Sequence, residues 1–493
     1  MNNMVNKLKG MGYGGVVLSV TTIGVLISSI QGSALLIILP EMMQALNMDL
    51  LTIMWVLMVY LLILTAMVPV FGRLADMFGR KRLYVLGFAV FTIGSLLCGL
   101  SQPQFRGVDL IIYRIVQAMG GALLTANGPA MIADAFDARH LGFGLGVNMV
   151  AGGAGLVLGP LVGGALAPFG WEWIFLINVP IGIVGTLWAL HRLREPVLLP
   201  KGQSFDWLGS GVFLAGLVAI LLGLSFVAFP AVDQAMIIAL FVFGALGMVA
   251  FIAVERKAKY PMMDLNLFKN REFAMGNATM FLNSLARGAV LFLLIFFLQG
   301  PYEQDPLTAG ISLIPFGITF VVMGPISGRL SDRYGPRPFI IAGLALSALA
   351  LLGFATIDHN TPFWLLATYM AMMGIGGGLF ASPNSSSVMN TVRPEKRGIA
   401  AGTRSMLMNI GSMFSLALAF PLVMTDLPMD DLMNLFLYGG GISPGALAIF
   451  ESGLHMAFLL FMATSVLAVA MALVKAKPRQ MKFRENGGEP SVE

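Results

Sequence analysis

The 493-residue sequence is poor in the residues that build soluble catalytic centres. It holds a single cysteine, Cys98, which excludes an intrachain disulfide and a multi-cysteine metal site. The four histidines, His140, His191, His359 and His455, lie in loops or at segment ends. No Gly-Lys dipeptide occurs, so there is no phosphate-binding loop and no built-in ATPase. Neither H-E-x-x-H nor a carboxylate pair of the hydrolytic kind is present. These absences predict a chain that is not an enzyme, binds no metal and carries no cofactor. Charge is scarce too: 11% of residues are charged, against about 25% in soluble proteins. At that density a formal charge of +5 is no nucleic-acid footprint.

What is abundant is apolar residue, 57% of the chain. Runs of about 20 apolar residues, enough to cross a bilayer as a helix, occur at 17–39, 51–71, 83–101, 109–134, 142–168, 171–193, 207–228, 235–254, 274–299, 307–327, 338–357, 362–388, 398–423 and 453–475. We number them spans 1 to 14. The first follows Lys7 and Lys9 and continues to Leu39, too long for a signal-peptide core, so it reads as a retained span. The only long connection, 424–452, is itself partly apolar. With both termini placed in the cytoplasm, 26 of the 30 Lys and Arg residues fall in cytoplasmic loops and one, Arg106, falls outside. The positive-inside rule therefore predicts an all-α, multi-pass protein with cytoplasmic termini.

The sequence also repeats itself. MVPVFGRLADMFGRKR at 67–82 returns as MGPISGRLSDRYGPRP at 323–338, 256 residues later. Each copy joins two apolar runs, as in a transporter built of two related halves. Gly72, Asp76, Gly79, Arg80 and Lys81 fill the pattern G-x-L-x-D-x-x-G-[RK]-[RK]; the second copy keeps Gly328, Asp332 and Gly335 but has Pro336 and Pro338 at its basic end. This resembles the cytoplasmic-loop signature of the major facilitator superfamily. Six helices with short loops fill less than 256 residues, so the surplus predicts two extra helices, spans 7 and 8, between the halves. Fourteen spans arranged six, two and six resemble the drug/proton antiporter branch of that superfamily. The expected division is a six-helix bundle at 1–195, the extra helices and linkers at 196–272, a second bundle at 273–476 and a cytoplasmic tail at 477–493.

Span 5 carries Gly146, Gly155, Gly159, Pro160, Gly163 and Gly164 in the spacing of the superfamily's antiporter motif. Gly155, Gly159 and Gly163 recur every four residues and line one helix face, which lets a second helix approach closely. Pro160 removes a backbone donor and bends the helix. The expectation is a smooth, bent helix at the interface between halves. WEWIFLINVPIG at 171–182 resembles the branch's W-R-W-I-F-x-I-N-x-P-I-G with Glu172 in place of arginine. Trp171 and Trp173 are expected at the membrane interface. In the first hairpin, Asp76 can pair with a base or cap the next helix; the resemblance implies that this cluster pins the halves together when the outer side is open.

Three arginines fall inside spans, where each costs roughly 2.5 to 3.5 kcal/mol on insertion scales. Arg114 in span 4 has Gln117, Gly121 and Thr125 on its face and resembles the motif R-x-x-Q-G-x-G, with Ala118 in place of the first glycine. Arg287 lies in span 9, with Asn283 one turn earlier, and Arg404 in span 13. If spans 1, 4, 9 and 12 line a central cavity, as the resemblance implies, Arg114 and Arg287 face it from opposite halves, with Gln31, Gln117 and Asn283. Gln31 stands where the family carries an acidic residue and cannot release a proton. Glu41 and Asp134 at span ends, with Arg114, are the remaining candidates for proton coupling. Methionines cluster at Met370, Met372 and Met373 and at Met406, Met408 and Met413, which suits a promiscuous pocket or plain membrane packing.

The resulting expectation is a secondary transporter of the cell membrane. It would work as a monomer in a lipid bilayer, without nucleic acid, and export small amphiphilic compounds down an ion gradient, protons by resemblance. Two alternatives stay open: an exporter or flippase-like carrier of anionic amphiphiles, which the arginines favour, and a membrane sensor that does not transport.

Overall fold

The computed structural model describes residues 12–136, 141–195, 206–227, 232–258, 263, 265–392, 397–424 and 444–474. They form helices, with no strand among the described residues. Fourteen helical stretches are long and apolar enough to span a membrane. Spans 1 to 5 are Tyr13–Ile37, Leu50–Phe78, Arg80–Cys98, Val108–Ala135 and Leu141–Leu166. Span 6 is Asn178–Arg192, preceded by the short helix Trp173–Leu176; spans 7 and 8 are Trp207–Phe226 and Gln234–Lys257. Span 9 is broken into Arg271–Arg287 and Val290–Gln299, and span 10 into Pro306–Ser312 and Ile314–Tyr334. Spans 11 to 14 are Pro336–Phe354, Phe363–Met389, Arg397–Met424 and Pro444–Val474.

Three boundaries differ most from the sequence expectation. Span 14 begins at Pro444 rather than 453, because the connection before it is apolar enough to continue as helix. Spans 2 and 10 run on into the repeated hairpins, so Gly72, Asp76, Gly328 and Asp332 are helical and the loop shrinks to one glycine. Gly79 (φ 108°) and Gly335 (φ 82°) each end one helix and start the next, in a backbone region that a Cβ disfavours. That requirement explains why glycine sits at the same offset in both copies.

The two halves repeat each other in three dimensions. Spans 1 and 5, 2 and 4, 3 and 4, 3 and 6, 1 and 4, and 1 and 6 pack together, and the corresponding pairs of spans 9 to 14 do the same. The offset of 256 holds to the atom. A Cβ on Gly87 would meet Leu123 and the Gly120 carbonyl, and one on Gly343 would meet Leu379 and the Gly376 carbonyl. The halves touch through spans 2 and 13 and through spans 5 and 10. Span 7 packs on spans 2 and 13, and span 8 on span 7. The extra helices are thus central in sequence but peripheral in space, and Ile238, Phe243, Leu246 and Val249 of span 8 are left exposed for lipid to cover.

The core is divided unequally along the membrane normal. At the end away from the hairpins, one continuous cluster joins both halves, from Leu35, Met54 and Val56 to Leu293, Phe297, Phe420 and Phe458. Toward the hairpin end clusters confined to one half appear beside the joint cluster, which runs on along spans 2 and 13 to Val70 and Met406. One draws on spans 1 to 6 only, including Val17, Tyr84, Phe88 and Ile132. The others draw on the second half only, around Met280, Ile340 and Phe380 and around Phe273, Val388 and Ala400. Gln299 clasps the far end by donating from its amide to the Ile37 carbonyl at 2.9 Å. The molecule is sealed at one end and more divided at the other.

Candidate functional site

The hairpins mark the divided end. Arg80 donates to Asp134 at 2.5 Å and to the Ala130 carbonyl at 3.3 Å, tying span 3 to span 4. This pair is 24% and 29% exposed. Glu195, just after span 6, accepts from the backbone amides of Lys81 and Arg82 at 3.2 and 3.4 Å and so caps span 3, whose first amides have no helical partner. These contacts all stay within the first half. Gly72 and Gly328 face matching positions, Ala126 of span 4 in ordinary contact and Ser382 of span 12 at a close approach. The side chains of Asp76 and Asp332 lie outside the described residues.

The glycine stripe of span 5 does not lie between the halves. A Cβ on Gly155, Gly159 or Gly163 would strike Ser29, Ser33 or Ala34 of span 1 in the same half, and Ser33 donates its hydroxyl to the Gly155 carbonyl at 3.3 Å. The half–half contact falls on the next face. There Gly153 meets Phe320, Gly164 meets Pro306 and Leu307, and the Pro160 carbonyl meets Gly310, all of span 10. Four-residue spacing says that a face is smooth; it does not say which neighbour uses it. Gly146 has open space around it. The second half contains the same seam in disguise. Gly411 and Ser415 of span 13 lie 256 residues after Gly155 and Gly159. Gly411 abuts Phe281 and Ser284, and Ser415 accepts from the Ala289 amide at 2.9 Å across the break in span 9.

Three residues expected in a central cavity are instead consumed inside the first half. Arg114 is 1% exposed. Its Nε donates to the Val56 carbonyl at 3.3 Å and its Nη1 to Gln117 Oε1 at 2.7 Å. Gln117 in turn donates to Ser95 at 2.8 Å. The guanidinium carbon stands 4.4 Å from the Tyr60 ring centroid and 5.9 Å from that of Phe175, a stacking that favours a desolvated cation. Gln31 is fully buried and accepts from Asn178 at 2.5 Å, linking span 1 to span 6. The physical reason is the same for all three: spans 1 and 4 present these positions toward neighbours in their own half. Trp173 is 49% exposed as an interfacial ring should be, but Trp171 is 4% exposed and packs edge-on to Phe175 at 6.2 Å. Met370, Met373, Met406 and Met413 are core residues.

The second half is different. Arg287 ends the first piece of span 9, where the helix dipole favours a cation. It is only partly buried. Its Nη1 donates to the Met373 carbonyl at 3.2 Å, and Phe316 and Phe320 flank it with ring centroids at 5.8 and 5.4 Å. Gly377 of span 12 leaves the room that the guanidinium fills, since a Cβ there would overlap it. Asn283 is buried one turn earlier. Arg404, also partly buried, meets the Met280 sulfur at 3.7 Å, and its buried Nε has no hydrogen-bond partner. Among the described residues neither arginine forms an ion pair.

Of the coupling candidates, Asp134 is the partner of Arg80. Glu41 lies on the short helix Leu39–Ala45 at the sealed end. Burial, then the charge of Glu172, hold its carboxyl above the usual carboxylate range, against a hydrogen bond from the Trp171 amide. No group of three or more His, Cys, Asp or Glu side chains that could hold a metal ion exists among the described residues.

This arrangement has relatives. The family model of the Major Facilitator Superfamily matches residues 21–254 and 277–492, and the chain belongs to that family. It is 35% identical over 409 residues to the riboflavin transporter RibZ of Clostridioides difficile (strain 630), covering 82% of this chain and 87% of the relative. It is 31% identical over 371 residues to the multidrug transporter protein MdtP of Bacillus subtilis (strain 168), covering 74% and 67%. Among solved structures, a bacterial homologue of the human lysosomal transporter Spinster, inward-facing and unoccupied, superposes with a TM-score of 0.60 at 16% identity over 94% of this chain and 97% of that one. At that identity the likeness concerns the fold.

Proposed function

We propose that this member of the Major Facilitator Superfamily is a secondary transporter that exports small amphiphilic compounds from the cell by alternating access, driven by an ion gradient, most simply protons. In this reading the protein is a monomer in the cell membrane, its hairpins and termini face the cytoplasm, and the arrangement described is the inward-open one. The observation that carries it is the unequal core: one cluster across both halves at the sealed end, clusters confined to one half toward the hairpin end. Two rigid halves joined at one end are what a rocking motion about a midplane site requires. The names of the relatives, a multidrug and a riboflavin transporter, support a small-molecule cargo. Glu41 is the carboxylate we assign to proton coupling first: it lies at the far mouth, and burial together with Glu172 favours its protonated form.

The test uses purified protein in liposomes with an imposed pH gradient. Rhodamine 123 and 5-carboxyfluorescein, xanthene dyes of opposite charge, are followed side by side, with the gradient present and collapsed. Gradient-dependent movement of either dye is expected. A protein that moves neither, while folded and correctly inserted, is not the exporter described here. Glu41→Gln should uncouple movement from the gradient; unchanged coupling removes Glu41 from the mechanism.

A further inference from the structure

The two arginines of the second half are placed as a charge-reading device. Arg114 provides the internal standard for an arginine that serves structure in this protein. Its donors reach a carbonyl and an amide oxygen, and Tyr60 covers its face. Among the described residues Arg287 shares the aromatic cover and one carbonyl acceptor but lacks a second acceptor, and Arg404 lacks both the ring and an oxygen acceptor. Arg287 makes one hydrogen bond, to the Met373 carbonyl, and keeps part of its surface open. Arg404 touches a thioether, a weak acceptor, and has a buried Nε without a partner. Leaving a buried guanidinium donor unpaired is costly, and a site that tolerates it is incomplete.

Their relative placement follows from span 9. Arg404 contacts Met280, which precedes Arg287 by seven residues on one unbroken helix. Seven residues are nearly two turns, so Met280 and Arg287 share a face, about 10 Å apart along the axis. Arg404 is the station nearer the divided end, since it lies seven residues into span 13. Arg287 is deeper, at the break in span 9. The surroundings of Arg287 are apolar: Phe316 and Phe320 on one side and the bare backbone at Gly377 on another. The described carboxylates of the second half stand at span ends or in loops: Glu272, Glu303, Asp305, Asp332, Asp358 and Glu451. Among the described residues nothing negative competes for the arginines in the span interior.

We infer that the site takes amphiphiles with an anionic head group, a carboxylate, sulfonate or phosphate, passed from Arg404 to Arg287 while the aromatic pair holds the apolar body. This rests on the transport reading above and narrows it to a charge class. A planar guanidinium matches such oxyanions with paired hydrogen bonds that a lysine cannot reproduce.

The test is equilibrium binding, with no gradient. Full-length protein in phosphatidylcholine nanodiscs is titrated against 5-carboxyfluorescein and rhodamine 123 at pH 8 and read by fluorescence anisotropy. We expect the anionic dye to bind at least about tenfold more tightly than the cationic one, and Arg287→Ala and Arg404→Ala each to weaken it about tenfold or more. Rhodamine 123 should bind the variants as well as before, or better. Arg287→Lys and Arg404→Lys keep the charge and should fall between, which separates charge reading from a failure to fold. Equal or tighter binding of the cation by wild type overturns the inference, as does no binding of either dye. A dye preference indifferent to both arginines overturns it, and so does equal loss of both dyes in a variant with unchanged melting. An effect confined to Arg287 overturns the two-station path. Replacing half the lipid with phosphatidylglycerol assigns the source: competition with the dye makes the head group a lipid's, and no competition makes it a soluble compound's. Because binding is read without a gradient, this result and the transport result above can fail independently.

Discussion

The two halves solve the same problem at the same place with opposite consequences. By the 256-residue offset, Gln31 of span 1 corresponds to Arg287 of span 9, and Tyr60 of span 2 to Phe316 of span 10. In the first half an arginine arrives at the Tyr60 ring from span 4, as Arg114, and Gln31 turns away to Asn178. In the second half the arginine arrives at the equivalent ring from span 9 itself. Each half therefore sets one guanidinium beside two aromatic rings. In the first half Nε and Nη1 both find protein acceptors; in the second, one donor does and part of the cation stays exposed. Pseudo-symmetry preserves the backbone while letting one half become a strut and the other a site. An intramembrane arginine is a functional hypothesis by default, and here its hydrogen-bond complement decides which arginine deserves it.

The sharpest way to break this contrast is by stability. Arg114→Ala should cost about 2–4 kcal/mol, since it strands Gln117 and opens a cavity, and should lower the melting temperature plainly. Arg114→Lys should rescue little, because a single ammonium cannot replace a fork bonded on two sides. Arg404→Ala should leave the melting temperature unchanged or raise it, because it removes an unpaired donor. If the two alanine variants melt alike, the division into strut and site is wrong.

The glycine seams come next. At Gly163 an added Cβ would lie 2.5 Å from the Ala34 carbonyl oxygen, and at Gly411 2.6 Å from that of Phe281. Backbone cannot rotate out of the way, so Gly163→Val and Gly411→Val should each cost about 1–3 kcal/mol, read as loss of monodisperse protein on heating. Gly146→Ala and Gly402→Ala, with nothing within 4 Å, should instead stabilise, by about 1 kcal/mol at most. Equal damage at all four positions would mean that close helix approach does not explain the stripe.

Much of this was legible in the sequence. Fourteen apolar runs and the repeated hairpin lead to the architecture, because membrane thickness fixes span length and a duplicated sentence betrays a duplicated bundle. Gly79 and Gly335 could be read as turns. What could not be read was rotation about helix axes. Nothing in the spacing of Gly155, Gly159 and Gly163 distinguishes span 1 from span 10 as their neighbour. The lining of a cavity by Gln31, Arg114 and Gln117 failed for the same reason. The seam of span 13 was visible in principle at the 256 offset, but serine and alanine replace glycine at 415 and 419, and a glycine pattern overlooks them. Arg404 stands out only once its one described hydrogen-bond partner is seen to be a thioether.

A smaller effect should sharpen the comparison at the seal between halves. Gln299→Ala removes the hydrogen bond to the Ile37 carbonyl and leaves that acceptor bare, a loss of about 1 kcal/mol that falls on the sealed state alone. A cysteine placed at Leu416, beside the small cavity lined by Met54, Leu57 and Phe292, should then be labelled several-fold faster by a maleimide that cannot cross the membrane, applied from the sealed end. Unchanged labelling would show that the apolar cluster alone holds that end shut.

The smallest effect concerns pH and sits at the same end. Glu41 is partly buried beside Glu172, and burial followed by like charge raises its pKa above the ordinary 4.5. Between 4.5 and that raised value the folded protein holds a proton that the unfolded chain has released. Stability must therefore fall as pH rises through this window, and the full penalty is present above it. Glu41→Gln removes the slope, so the variant should melt at the same temperature as the parent at low pH and higher than it at neutral pH. Glu172→Gln should reduce the slope without abolishing it, because like-charge repulsion is the lesser cause after burial. Parallel melting curves for parent and Glu41→Gln across the window would mean that the carboxyl is solvated in the sealed state. The far mouth would then offer no proton site, and coupling would have to be sought at the hairpin end, where Asp134 is already bound to Arg80.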